Sequence, residues 1–257
     1  MSRRRRKQNK RLVIFVFVGV ILLITGYIVY NYGVDYYRTY YACPGVKIDY
    51  WRYPVIGVDV ASHQGKINWQ RVSESEVKFA FIKVTEGTNF ADANFKRNIY
   101  EAKANGIMTG VYHFFRFNRD GKPQAEWFIK NTTNIRFDFP PVVDIELSYG
   151  NIFSSFNKNK IRSEIFNYLR TIEKYYHVKP IIYTNGKTWN EFIKGSFEEY
   201  DLWICKLCNE PAKTDWKFWQ YTHKGNIAGI DNEVDMNTFN GDYNSFIDYI
   251  ANGKNRK

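Results

Sequence analysis

An uncharged apolar run from Leu12 to Tyr30 (LVIFVFVGVILLITGYIVY) opens the hydropathy pattern of the chain. At 1.5 Å per residue it reaches ~28 Å as a helix, close to the ~30 Å hydrocarbon core of a bilayer. The pattern predicts a transmembrane helix over 12–31, with the basic tail 1–11 held in the cytoplasm and Tyr27, Tyr30 and Tyr32 at the interface. A cleaved signal peptide is the alternative, but it calls for a shorter run and a small-residue cleavage site such as A-x-A. An uncleaved anchor is therefore expected, making this a single-pass membrane protein whose later residues face away from the cytoplasm. Residues 32–54 are Tyr-rich and polar without clear periodicity and read as a stalk, with Cys43 as a linker residue.

From Val55 the pattern changes to short β-rich runs alternating with helical spacing. VIGVDVA (55–61), VKFAFIKVT (77–85), IMTGVYHFF (107–115) and PPVVDIEL (140–147) read as the first four strands. IIYTN (181–185), LWICKL (202–207), WKFWQYT (216–222) and VDMNTF (234–239) read as four more. Phe95, Ile99 and Ala102 share one helical face behind Asp92, which can cap it, and Gly106 ends that helix. A second helix is expected near Gln124–Lys130. A third carries Ile161, Ile165, Leu169, Ile172 and Tyr176, and a last one covers Tyr243–Ile250. Eight strands with helices between the early ones predict an α/β fold, a closed barrel over 55–250 whose last three strands lack full helical crossovers. Residues 251–257 read as a polar tail.

Charge changes this picture little. The chain has 37 Lys and Arg against 26 Asp and Glu, but seven of the basic residues fall between Arg3 and Arg11. The net positive charge is mostly a property of that tail, and no basic stripe across the folded domain suggests a nucleic-acid partner. Aromatic residues make up 18% of the chain, which excludes a disordered protein. His63, His113, His177 and His223 show no metal-ligand spacing with one another or with cysteine. No metal and no cofactor are expected.

The chemistry lies in four acids. In a β/α barrel it is the C-terminal strand ends that carry the site, and Asp59, Asp144 and Glu146 stand near such ends, with Asp235 in the eighth strand. Asp144 and Glu146 are two apart, so in a strand they share a side, and barrel closure brings Asp59 beside Asp235. A lone Asp at a strand end is usually a turn residue. Two acids within VVDIEL, however, interrupt a strand that should be buried on both faces, where apolar side chains cost less. Like charges gathered in a mouth raise one another's pKa, which keeps a carboxylic acid protonated near neutral pH.

These residues carry a family resemblance. GVDVASHQGKINW (57–69), FAFIKVTEGTNFAD (79–92), GVYHFF (110–115), PVVDIE (141–146), YTN (183–185), LWICKL (202–207) and FWQYT–GI–VDMNTF (218–239) resemble, in order, the motifs of glycoside hydrolase family 25. These are lysozymes of the N-acetylmuramidase, or Chalaropsis, type. The resemblance implies an irregular TIM-like barrel of five βα units and three further strands. It implies hydrolysis of the β-1,4 bond between N-acetylmuramic acid and N-acetylglucosamine in peptidoglycan glycan strands. By motif position Glu146 is similar to the general acid and Asp144 to its partner, which orients the 2-acetamido group or supports an oxocarbenium-like state. Asp59 and Asp235 match the other two acids. Tyr112, Tyr183, Trp203, Trp219 and Tyr221 are candidate sugar platforms, with barrel core as the alternative role for each. Lys83 is expected to line the pocket or pair with an acid.

Cys205 and Cys208 (CKLC) depart from that family pattern. A redox C-x-x-C belongs at a helix N-terminus. Here the context is a strand, which favours two small apolar residues or a loop disulfide. Two other functions compete. A chitinase also carries a D-x-E pair, but Val142 stands where its next upstream Asp belongs. A non-catalytic, membrane-anchored peptidoglycan-binding module is expected to have lost its acids, and all four remain.

Overall fold

The computed structural model of the chain describes residues 3–37, 43, 45–147, 151, 157–212 and 216–254. They fall into two compact units that divide between Pro44 and Gly45. In the first unit, helix α1 (Arg3–Tyr37) contains a stretch, Asn9–Tyr30, long and apolar enough to cross a membrane. Helices of this length and composition serve as anchors and as signal sequences alike. The helix continues past residue 31 into the segment expected to be a stalk, and residues 38–42 and 44 of that segment lie outside the described residues.

Part of the segment expected to be a stalk up to Pro54 belongs to the barrel unit. From Gly45 the chain already belongs to the second unit. Ile48 and Tyr53 are buried in its core, and the Val46 N–H donates to the Tyr221 carbonyl at 2.9 Å. Arg52 and the Tyr53 hydroxyl both donate to Glu210, at 3.0 and 2.5 Å. These contacts come from single side chains without periodic spacing, so hydrophobic patterning gives no sign of them.

The second unit is a closed barrel of eight strands. β1 (Ile56–Val60), β2 (Val77–Glu86), β4 (Met108–Phe114), β5 (Val142–Asp144), β6 (Ile181–Asn185), β7 (Leu202–Cys205) and β8 (Trp216–Gly225) pair in parallel between successive members. β9 (Val234–Phe239) runs antiparallel to both β8 and β1 and closes the ring. The short β3 (Phe90–Ala91) forms a hairpin on the end of β2. Helices α2 (Trp69–Ser73), α3 (Phe95–Ala104), α4 (Gly121–Thr132) and α5 (Lys158–Tyr176) lie between the early strands. Between β6 and β9, among the described residues, the helical segments are the single turn α6 (Gly186–Thr188) and a π-type turn at Trp189–Ile193. The helical crossovers are thus lost late, as the spacing of the runs implies. Of the boundaries that differ, one bears on the site: the fourth expected strand ends at Asp144, which leaves Glu146 beyond the sheet.

Strand alternation sorts side chains into two layers. Val58, Val60, Ala80, Ile82 and Val143 point outward onto Ile99, Phe128, Ile165 and Leu169 of the helices. Phe79, Phe81, Val142, Phe218 and Phe239 point inward. α7 (Tyr243–Lys254) closes the lower end with Phe246, whose ring lies 5.7 Å from Phe79 and 5.4 Å from Phe239. The tail expected from residue 251 is therefore helical up to Lys254, and 255–257 lie outside the described residues. Gly57 and Gly110 make room for this plug. A Cβ at either would come within 2.4 Å of the Phe79 or Phe81 ring respectively.

Candidate active site

The inner face of each strand changes character from bottom to top. On β1, Gly57 is followed by Asp59; on β5, Val142 by Asp144; on β8, Phe218 by Gln220. Antiparallel β9 presents the same series reversed, so Asp235 reaches the mouth from the start of its strand, directly opposite Asp59. Asp59, Asp144, Glu146 and Asp235 surround one cavity of about 160 Å³. Tyr112, Phe114, Tyr183, Trp203 and Gln220 complete its lining.

Trp203 is the floor. Its ring stacks on Phe81 at 4.3 Å and meets Tyr183 edge-on at 4.6 Å, so the site rests on the aromatic plug. Its indole N–H donates to Asn237 Oδ1 at 2.8 Å, and Asn237 Nδ2 donates to Asp59 Oδ2 at 2.8 Å. On the other side the Tyr183 hydroxyl donates to Gln220 Oε1 at 2.9 Å, and Gln220 Nε2 donates to the same Asp59 oxygen at 2.9 Å. Each amide is oriented by an aromatic donor, which leaves its N–H aimed at Asp59. Asp59 is thereby locked.

Asp144 has a different environment. It is buried, and its Oδ1 has no hydrogen-bond partner within the described structure. A buried acceptor left open in a cavity favours a ligand that brings a donor.

All four carboxyls are pushed upward. Burial, together with Asp59 and against the pull of Lys83, raises Glu146 to about 7. Burial raises Asp59 to about 6, although the amides of Asn237 and Gln220 hold it down. Asp144 is lifted well above the usual range by burial and then by Glu146, and Asp235 by burial and then by Asp59. The mouth therefore holds protons near neutral pH, as a proton donor requires.

The candidate platforms divide. Tyr112, Tyr183 and Trp203 line the cavity. Trp219 and Tyr221 do not: they stand on the outer face of β8, among the residues under the surrounding layer. The Trp219 indole donates to the Lys206 carbonyl at 2.8 Å and packs edge-on against Tyr53 at 5.8 Å. The physical reason is the two-residue strand period, which turns 219 and 221 outward when 218 and 220 turn inward. Lys83 lies outside the lining and forms an ion pair with Glu86 at 2.7 Å, and Glu86 also bonds Arg116. Phe114, Gln220 and Asn237 were not singled out from sequence. Phe114 and Asn237 stand two residues from Tyr112 and Asp235, so the strand period could have found them, whereas Gln220 lies between Trp219 and Tyr221 on the opposite face of its strand.

The cysteines also separate. Cys208 is disulfide-bonded and Cys205 is not, so no disulfide joins the CKLC pair. Cys205 is a free thiol whose pKa burial drives up, which makes it inert as a nucleophile. Among the described residues, no group of three or more His, Cys, Asp or Glu is arranged to hold a metal ion. His113 is fully buried behind the wall, bonded to Thr85 Oγ1 at 2.8 Å and near Gln124 Oε1 at 3.3 Å.

Known proteins share this fold. The sequence profile of glycosyl hydrolases family 25 matches residues 58–230. The chain is 32% identical over 209 residues to the uncharacterized protein YegX of Escherichia coli (strain K12), covering 77% of this chain and 75% of that one. It is 33% identical over 200 residues to lysozyme M1 of Streptomyces globisporus, covering 73% and 68%. The structure of a family 25 glycosyl hydrolase from Bacillus anthracis superposes with a TM-score of 0.73 at 34% identity, covering 80% of this chain and 96% of that one. With the profile spanning most of the barrel and the fold matching throughout it, the chain belongs to glycosyl hydrolase family 25.

Proposed function

We propose that the domain is a muramidase, hydrolysing the β-1,4 bond between N-acetylmuramic acid and N-acetylglucosamine in peptidoglycan. The observation that carries this reading is the paired state of Glu146 and Asp144: an acid raised to about 7 beside a buried carboxyl with an open oxygen. Glu146 donates its proton to the glycosidic oxygen as the C–O bond breaks. Asp144 Oδ1 accepts the N–H of the 2-acetamido group, and the carboxyl faces the positive charge that develops at the anomeric carbon. Water supplies the new hydroxyl, and its released proton restores Glu146. Asp59, held by two amides, keeps negative charge in the mouth opposite Asp235, and Tyr112 and Tyr183 frame the sugar. The similarity to lysozyme M1 supports the same reading.

Helix α1 anchors this domain to the cytoplasmic membrane, with the amino terminus inside and the barrel facing the wall. The long apolar run and the basic residues before it support that orientation. The whole chain is tested by incubation with purified peptidoglycan, followed by reduction and identification of the new chain ends. Muramic acid at the new reducing ends is expected. N-acetylglucosamine ends, or wall bound but uncut, would replace the reading with another hydrolase or with a binding module.

A further inference from the structure

Because β5 ends at Asp144, no strand ladder directs the residue that follows it by two. The backbone hydrogen bonds across this segment can be accounted for one by one. The Asp144 carbonyl accepts from Phe115 N at 2.9 Å, and Ile145 N donates to the Tyr183 carbonyl at 2.9 Å. Beyond that the partners are side chains. The Glu146 carbonyl accepts from Asn151 Nδ2 at 2.9 Å, and Leu147 N donates to Thr188 Oγ1 at 2.9 Å.

Both side chains are fully buried and are themselves fixed. Asn151 Nδ2 also donates to the Phe115 carbonyl at 2.8 Å, and its Oδ1 accepts from Phe117 N at 3.0 Å. Thr188 Oγ1 donates to Asn185 Oδ1 at 3.0 Å, and Asn185 Oδ1 also accepts Thr188 N at 3.0 Å. Asn151 therefore ties the Glu146 carbonyl to the exit of β4, and Thr188 ties the Leu147 N–H to the exit of β6.

We infer that Asn151 and Thr188 are positioning residues that replace the missing strand ladder and aim the Glu146 side chain into the cavity. This rests on Glu146 being the proton donor, and it adds two residues to which nothing in the acid motif points. The geometry selects the residue types. Asn offers two donors to two carbonyls and an acceptor to an amide, which neither Asp nor Ala can do. A Thr hydroxyl accepts from Leu147 and donates to Asn185 at once, while the nearly isosteric Val does neither. A misplacement near 1 Å costs up to ~10²-fold in rate, so a clamp of this kind governs turnover more than binding.

The test uses the full chain in detergent, with Thr188→Val, Thr188→Ser and Asn151→Ala compared with the parent on purified peptidoglycan. Thr188→Val is expected to lower kcat ~10- to 100-fold with KM within about twofold, and Thr188→Ser to restore most of it. The groups facing Glu146 are Asp144, Asp59, Asp235, Lys83, Tyr183 and Cys205. None is altered by these variants. Release of Glu146 toward solvent should therefore move the basic limb of the pH–rate profile downward, which a purely structural defect would not do. Faster amide exchange at Leu147 in Thr188→Val is expected whatever the enzyme cuts. That readout separates the clamp from the proposed activity, and Thr188→Val carries the test should Asn151→Ala fail to fold. Parent-like kcat and pH profile in folded Thr188→Val, or unchanged Leu147 exchange, would overturn the inference.

Discussion

The two ends of the barrel interior are built from the same strands and have opposite energetics. At the lower end Phe79, Phe81, Phe139, Phe218, Phe239 and Phe246 pack ring against ring, with centroids 5.0 to 6.0 Å apart. At the upper end four carboxyls share a small cavity, each raised by burial. The lower end stabilises the fold through apolar burial, and the upper end draws on that stability to keep costly groups in place. Trp203 joins them, stacking on Phe81 below while its N–H steers Asn237 toward Asp59 above. Stability and chemistry should therefore respond to different substitutions.

The largest separation is expected for Glu146→Gln. Loss of the donatable proton should lower turnover by ~10²–10⁴-fold while thermal melting at pH 7 shows no loss of stability. Asp144→Asn should also be severe, with Asp59→Asn and Asp235→Asn milder, as measured by release of reducing ends. Phe81→Ala attacks the opposite end: ~3–5 kcal/mol of stability should be lost in chemical denaturation, with turnover of the folded fraction changed far less. Gly110→Ala should cost ~1–3 kcal/mol, since the added methyl group meets the Phe81 ring at 2.3 Å.

A smaller effect links the two ends through pH. The mouth carboxyls have folded pKa values above their unfolded ones, so the folded state binds protons more tightly than the unfolded chain. Their contribution is fully present below the unfolded values near 4 and is lost as pH rises through about 6 for Asp59 and about 7 for Glu146. Thermal scans should show stability falling over that window, with a shallower fall in Glu146→Gln. The smallest effect is expected for Trp219→Phe and Tyr221→Phe. Both stand outside the cavity, so KM for wall fragments should stay within about twofold of the parent.

What could be read from sequence follows the range of the interactions involved. The strand period and barrel closure were enough to place Asp59 beside Asp235, and the fold class follows from the alternation of runs. The same period, counted from Phe218, separates Gln220 from Trp219. Aromatic character alone does not, because rings are as common under the helices as in the cavity. The direction of Glu146 depends on Asn151 and Thr188, whose roles come from hydrogen bonds between loops, and no local pattern encodes those. The packing of Ile48 and Tyr53 escaped for a similar reason, since an irregular segment buries single residues without a repeat.

The central claim is that the upper end holds Glu146 protonated near neutral pH. Titration of its carboxyl carbon by NMR, in the full chain with labelled glutamate and assigned against Glu146→Gln, tests this most directly. The account predicts a midpoint at about 7, well above the other glutamates. A midpoint in the ordinary glutamate range near 4.3 would contradict it.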